Sequence, residues 1–176
     1  GSNQGTFFES LNFAAAMNLP VVFVVENNGY AESTASSFHQ SGIDVAKRAD
    51  GFGLPGVVVD GQDYFAVREA AAEAVGRARA GAGPSLIECK TIRYFGHFIG
   101  DQQKYRAPNE VADAREHRDP LKNFRARVTR AGVATDEQLD AIDAEVAELI
   151  DRAVAQAQAA PFPAPESALE DVYVSY

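Results

Sequence analysis

Five consecutive apolar residues, Val21-Val22-Phe23-Val24-Val25, run straight into Glu26-Asn27-Asn28-Gly29-Tyr30. The apolar run, four of its five members β-branched, reads as a fully buried parallel strand. In open α/β sheets ligands bind just outside the carboxyl ends of the strands, so an acid, two amides and a tyrosine placed there are candidates for a site. Asn-Asn-Gly is also ordinary turn chemistry, and this run alone leaves both readings standing. A second cluster follows a later apolar segment: Arg93-Tyr94-Phe95-Gly96-His97-Phe98-Ile99-Gly100-Asp101. An imidazole carries one ring nitrogen that accepts and one that donates, so a proton-transfer role is open to it.

Positioning these groups requires strands that end on one edge. Segment 6–18 has helical spacing and leads through Leu19-Pro20 into the first strand. Residues 43–51 read as a short helix. Val57-Val58-Val59 is a second strand ending in Asp60-Gly61-Gln62-Asp63, and Asp63 is a candidate N-cap for an alanine-rich helix to Arg79. Ser85 to Ile92 is the third strand. Strands alternating with helices specify a parallel sheet flanked by helices, an α/β fold with right-handed crossovers. Parallel strands point their carboxyl ends the same way, so Asn27-Asn28, Asp60–Asp63 and the residues after Ile92 are expected along one rim. No period is visible over 93–118. A loop of that length in a compact domain is usually functional or disordered, and the functional reading leads.

Farther on, Asp119-Pro120 is an N-cap and first-turn proline for a helix through Arg130. Thr135-Asp136-Glu137-Gln138 is a capping box, opening a helix with Leu139, Ile142, Val146, Leu149, Ile150 and Val154 along one face. Helices are thus expected over 119–158. Val172-Tyr173-Val174 is a candidate short strand or interface segment. The expectation is a single domain over 1–176, with 93–118 as its active-site loop.

Composition narrows the partners. At 176 residues and 46% hydrophobic the chain can build a core of its own. A net charge of −9 argues against nucleic acid or an anionic membrane as partner. A single cysteine, Cys89, excludes a disulfide framework within the chain and a cysteine-based zinc site. No stretch has the length and apolarity of a membrane span, and residues 1–20 lack the pattern of a signal peptide. The reading is of a soluble, cytoplasmic protein.

Taken in order, Ser2-Asn3-Gln4-Gly5, Phe8-Glu9-Ser10-Leu11-Asn12, Glu26-Asn27-Asn28-Gly29-Tyr30, Tyr94-Phe95-Gly96-His97 and Tyr105-Arg106 resemble one family. It is the alpha subunit of the thiamine-diphosphate-dependent first component of 2-oxo acid dehydrogenase complexes. Residues 97–106 and the ending Asp171–Tyr176 are most similar to the acetoin dehydrogenase branch. The resemblance spans essentially all 176 residues and about the C-terminal half of such a subunit. It implies thiamine diphosphate and magnesium as cofactors, with the Asn28 amide oxygen and the Tyr30 carbonyl as magnesium ligands. Gly1 and Ser2 would lie where the diphosphate site begins, and His97 would be both a catalytic and a cofactor-contacting histidine. The family's Gly-Asp-Gly, which supplies a third metal ligand directly before Ser-Asn-Gln-Gly, is absent here.

The resemblance further implies a beta subunit in an α2β2 assembly and a lipoyl acyltransferase component as partners. The implied reaction cleaves a small-molecule substrate, acetoin or a pyruvate-like 2-oxo acid, and passes the acyl group to lipoamide. Two alternatives stay open: a transketolase- or decarboxylase-like thiamine enzyme, and a non-catalytic binding or assembly module of the same fold.

Overall fold

In the computed structural model, residues 1–42 and 44–170 are described. The chain divides into two compact units, Gly1–Arg127 and a second from Val128 onward. This differs from the single domain expected over 1–176.

The first unit is built on a three-stranded parallel sheet. Its strands are β1 (Val22–Asn27), β4 (Gly56–Asp60) and β5 (Ser85–Lys90), in the spatial order β1-β5-β4. A two-stranded antiparallel ribbon, β2 (Tyr30–Ala31) and β3 (Thr34–Ala35), follows β1 directly. The register places Asn27 of β1 and Asp60 of β4 both opposite Lys90 of β5, so the three strands end level. The single rim anticipated from the strand order is present.

Side chains alternate across β5, which gives the sheet two different faces. Leu86 points to one face, where it packs with Leu11 of α1 (Gly5–Ala16) and with Ala46, Ala49 and Leu54. Ile87 and Cys89 pack on the other face against Ala74, with Val67, Ala70 and Ala71 of α3 (Tyr64–Arg79) around them. Asp63 caps α3 as expected, its carboxylate accepting from the Phe65 and Ala66 amides.

Two expectations need correction and one is refined. The fully buried strand is β5, whose Ser85–Cys89 are all buried, and not β1. β1 pairs on one side only, and Val24 is 60% exposed. An unbroken apolar run is compatible with either position in a parallel sheet; the neighbours a strand acquires decide its burial. The short helix expected near 43–51 is present as a 3₁₀ helix over Ala46–Phe52. Ala46 and Ala49 are its buried residues, the i,i+3 spacing that stacks in a 3₁₀ turn, and Gly53 closes it at φ +69°. Within 93–118, Glu110–His117 is helical (α4), which leaves 93–109 as loop. α4 buries only Ala114, so it shows no apolar period. Glu110 and Asp113 at its start and Arg115 and His117 at its end instead suit the helix dipole.

A four-residue helix, α2 (Ser36–His39), follows β3, and α5 (Pro120–Arg130) crosses from the first unit into the second. Asp119 caps α5 through the Leu121 and Lys122 amides. The second unit contains α6 (Asp136–Ala159), opened by the anticipated capping box, with Thr135 accepting from the Gln138 amide and Gln138 Oε1 accepting from the Thr135 amide. Its Ile142, Val146, Leu149, Ile150 and Val154 are about half exposed. The expected strand at Val172–Val174 lies outside the described residues. Among those residues, no helix is long and apolar enough to cross a membrane.

Gly56 shows how closely β4 meets the 3₁₀ turn: a Cβ placed there would run into the Ala46 carbonyl. Both sides of that contact are backbone, and neither can rotate away. Gly56→Ala is therefore expected to destabilise the protein by about 3 kcal/mol, the upper range for overpacking, read as a lowered urea midpoint with unchanged slope.

Candidate functional site

Beside the end of β1 lies an open cleft of about 440 Å³, within the size range of small-molecule sites. Its wall is formed by Gly1, Ser2 and Asn3 just before α1, by Phe7 in its first turn, and by Glu26, Asn27, Asn28 and Tyr30 at and just beyond the end of β1. Ala31, Ser36 and His39 close another side. Gly1, Ser2, Asn28 and Tyr30, all singled out from the sequence, are thus brought to one cavity. The α1 terminus that borders it has no acidic residue in its first turn and no side-chain cap, which leaves its positive dipole end uncompensated.

The Asn27–Tyr30 turn is held by its own amides. Asn27 Oδ1 accepts from the Gly29 amide at 3.1 Å, and Asn28 Oδ1 accepts from the Tyr30 amide at 3.0 Å. Gly29 sits at φ +81°, a conformation that side-chain-bearing residues rarely adopt. An amide oxygen has two lone pairs, so Asn28 keeps one acceptor position while closing its turn. Among the described residues no group of three or more His, Cys, Asp or Glu could hold a metal ion. At the turn itself a cation would meet the neutral oxygens of Asn28 and the Tyr30 carbonyl, with the Glu26 carboxylate also in the cleft wall, a donor set that fits magnesium when a phosphorylated ligand brings most of the negative charge.

Beneath the turn lies Glu88 of β5, fully buried. Its Oε1 accepts from Asn27 Nδ2 at 2.7 Å and from Lys90 Nζ at 2.6 Å, and its Oε2 accepts from the Ala46 amide at 2.7 Å. Burial by itself would raise this carboxyl's pKa; the bonds from Lys90, Asn27 and the Ala46 amide outweigh it and leave the pKa below the usual value. Lys90 also contacts Asp44 at 3.0 Å. Burial would lower the ammonium's pKa, and its two carboxylate partners raise it instead.

His97 takes a different place from the other candidates. It is not part of the cleft wall. Its ring is half exposed, with Nε2 3.9 Å from Glu32 Oε1 on the β2–β3 turn. The loop carrying it is fastened by side chains. Asp101 accepts from the His97 amide at 2.8 Å, the Gln103 amide at 2.8 Å and the Tyr105 hydroxyl at 2.7 Å. Arg93 donates to the Tyr105 hydroxyl and to the Glu32 carbonyl.

Arg106 pairs with Glu110 at 2.7 Å, and Glu110 also accepts from the Tyr30 hydroxyl at 2.8 Å. The Tyr30 and Tyr105 rings lie 5.3 Å apart, with the Arg106 guanidinium 5.0 Å from the Tyr30 ring. Burial first, then the Glu110 hydrogen bond, raises the Tyr30 pKa. A bonded path thus joins Tyr30 at the cleft to the loop carrying His97.

His39 and Asn3 are cleft residues whose part was not read from the sequence. Arg48 donates to Asn3 Oδ1 at 2.8 Å, which turns the Asn3 amide nitrogen toward His39 Nδ1 at 3.0 Å. Their partners lie 36 and 45 positions away, and no local pattern marks them.

Asp101 makes the loop sensitive to acid. The Tyr105 hydroxyl first, then the Gln103 and His97 amides, hold its carboxyl at about 2, below the ordinary 3.8. A depressed folded pKa stabilises the bonded loop above the unfolded value, and that contribution is lost as pH falls through about 2. Order over 93–109 should therefore persist from neutrality to about pH 4 and disappear between about pH 4 and pH 2. At neutral pH, Asp101→Asn removes the charge from these bonds and should speed tryptic cleavage at Lys104 and Arg106, compared by mass spectrometry.

The sequence matches the family described as Dehydrogenase E1 component over residues 1–166. It is 60% identical over 175 residues to the alpha subunit of acetoin:2,6-dichlorophenolindophenol oxidoreductase from Cupriavidus necator, covering 99% of this chain and 53% of that protein. The Bacillus subtilis protein of that name is 46% identical over 99% of this chain and 52% of its own length. The alpha subunit of the pyruvate dehydrogenase E1 component from Rhizobium meliloti is 43% identical over 92% and 47%. The chain spans about half the length of these curated relatives. With the level strand ends and the cleft between α1 and the Asn27–Tyr30 turn, these matches establish that the chain belongs to the dehydrogenase E1 component family.

Proposed function

We propose that this chain is the part of a dehydrogenase E1 alpha subunit that holds magnesium and the diphosphate of thiamine diphosphate, in an enzyme acting on acetoin. The observation that carries the reading is the cleft, where the start of α1 and the Asn28 and Tyr30 turn face one cavity. The 60% identity to an acetoin-oxidising relative, against 43% to a pyruvate dehydrogenase subunit, supports acetoin as substrate. In this reading the enzyme is a cytoplasmic α2β2 assembly with a beta subunit, and it delivers its acyl group to the lipoyl group of an acyltransferase component.

Thiamine diphosphate, when bound, supplies the carbanion stabilisation that carbon–carbon cleavage requires. The chain's own residues do the rest. Gly1 and Ser2 line the diphosphate end of the cleft, next to the uncompensated start of α1. Asn28 and the Tyr30 carbonyl give neutral oxygens to magnesium. His97, on the loop over 93–109, exchanges a proton during transfer to the lipoyl group. Its half-exposed ring suits a group that must meet a substrate arriving from another component.

Two variants of the full-length protein, assembled with its partner subunit, test this reading. Asn28→Ala removes one oxygen from the cation and should weaken magnesium-dependent binding of thiamine diphosphate by about tenfold or more, measured by calorimetric titration. Unchanged affinity in a folded variant removes Asn28 from the site. His97→Ala should retain cofactor affinity while the lipoyl-coupled rate falls about 10²–10⁴-fold. The rate with an artificial electron acceptor should fall less. Equal losses would move His97 to the cleavage step. Transfer to an aldose in place of a lipoyl acceptor would replace the dehydrogenase reading with a transketolase-like one.

A further inference from the structure

Every hydrogen-bond partner recorded for the Glu88 carboxylate is a donor: the Asn27 amide, the Lys90 ammonium and the Ala46 backbone N–H. A side chain so surrounded must accept at both oxygens, which a carboxylate does and a carboxamide does not. The consequence travels one residue further. Because Asn27 gives its Nδ2 to Glu88, its Oδ1 is turned toward the Gly29 amide. That bond bends the backbone at Gly29 and places Asn28 and Tyr30 against the cleft. Through its other oxygen Glu88 holds Ala46, so the turn is referenced to the sheet core rather than to the loop it belongs to.

We propose that Glu88 is a positioning residue for the divalent cation, acting through Asn27 to orient the Asn28 amide oxygen and the Tyr30 carbonyl. The inference rests on the reading of the cleft as a magnesium–diphosphate site. It differs from a purely structural role because Glu88 aims ligand oxygens as well as joining two elements. Supporting groups around a metal commonly change its affinity 10–100-fold when removed.

Its test is manganese binding to the full-length assembly in the presence of thiamine diphosphate, followed by electron paramagnetic resonance. Glu88→Gln puts an amide where donors already converge and should weaken manganese binding by about tenfold or more. Ile87→Val and Ile87→Ala, on the opposite face of the same strand, serve as controls that bracket its loss of thermal stability. Both should leave the manganese affinity unchanged. In the double variant Asn27→Asp with Glu88→Gln, donor and acceptor exchange places across the same bond, the Gly29 amide keeps its acceptor, and the Lys90 ammonium, which shares that Glu88 oxygen, gains the new carboxylate at position 27 as its acceptor. Affinity should recover relative to Glu88→Gln alone.

Unchanged affinity in Glu88→Gln, an equal loss in the Ile87 variants, or no recovery in the double variant would each overturn the proposal. If the wild-type assembly shows no manganese signal dependent on thiamine diphosphate, the reading of the cleft fails, and the role of Glu88 with it.

Discussion

A fully buried carboxylate in the central strand is costly unless its surroundings supply donors, and the first unit is arranged around meeting that requirement. Glu88 draws the end of β1, the start of the 3₁₀ turn and Lys90 to a single point. The apolar packing on the same face, with Leu86 against Leu11, Ala46 and Ala49, is non-directional and tolerates small slips. Three short hydrogen bonds to one carboxylate do not. They add geometric precision to a core that hydrophobic burial alone would leave loosely registered, and they do so one residue away from Asn28.

Much of this arrangement was legible in the sequence, where the information was local. The apolar runs marked β1, β4 and β5, the shared chain direction put their ends on one rim, and Asp63, Asp119 and Thr135 announced the starts of α3, α5 and α6. What escaped was long-range or aperiodic. The fully buried strand was assigned to β1 because a run of valines does not say how many neighbours it will acquire. α4 carries no apolar period in the sequence, because its stabilisation comes from charges at its ends. Two of the three partners of Glu88 lie 61 and 42 residues away, and Asn3 reaches His39 across 36. The cleft residues Gly1, Ser2, Asn28 and Tyr30 were named in advance by motif resemblance; the carboxylate beneath them carries no motif of its own.

The sheet also explains how the first unit is held together. β5 is paired on both sides and flanked by α1 and α3, so its residues are buried whatever adjoins β1 and β4. The outer strands are another matter, with Val24, Val57 and Val58 each more than a third exposed. Parallel sheets normally have both faces covered. The exposed valines mark where this chain's own elements stop covering its sheet.

Cys89, set into that protected central strand, has a practical consequence for watching the loop over 93–109. It is the chain's single cysteine and is 5% exposed, with burial first and the nearby Glu26 and Glu88 charges next raising its thiol pKa. The thiolate is the nucleophile that attacks thiol-directed reagents, so Cys89, buried and with a raised pKa, is a poor target at neutral pH. A cysteine introduced at Phe98, whose side chain is 66% exposed beside His97, would carry a maleimide fluorophore or spin label selectively within this chain. The native thiol would need no removal, and the sheet that aligns Glu88 could stay unaltered while the loop is observed.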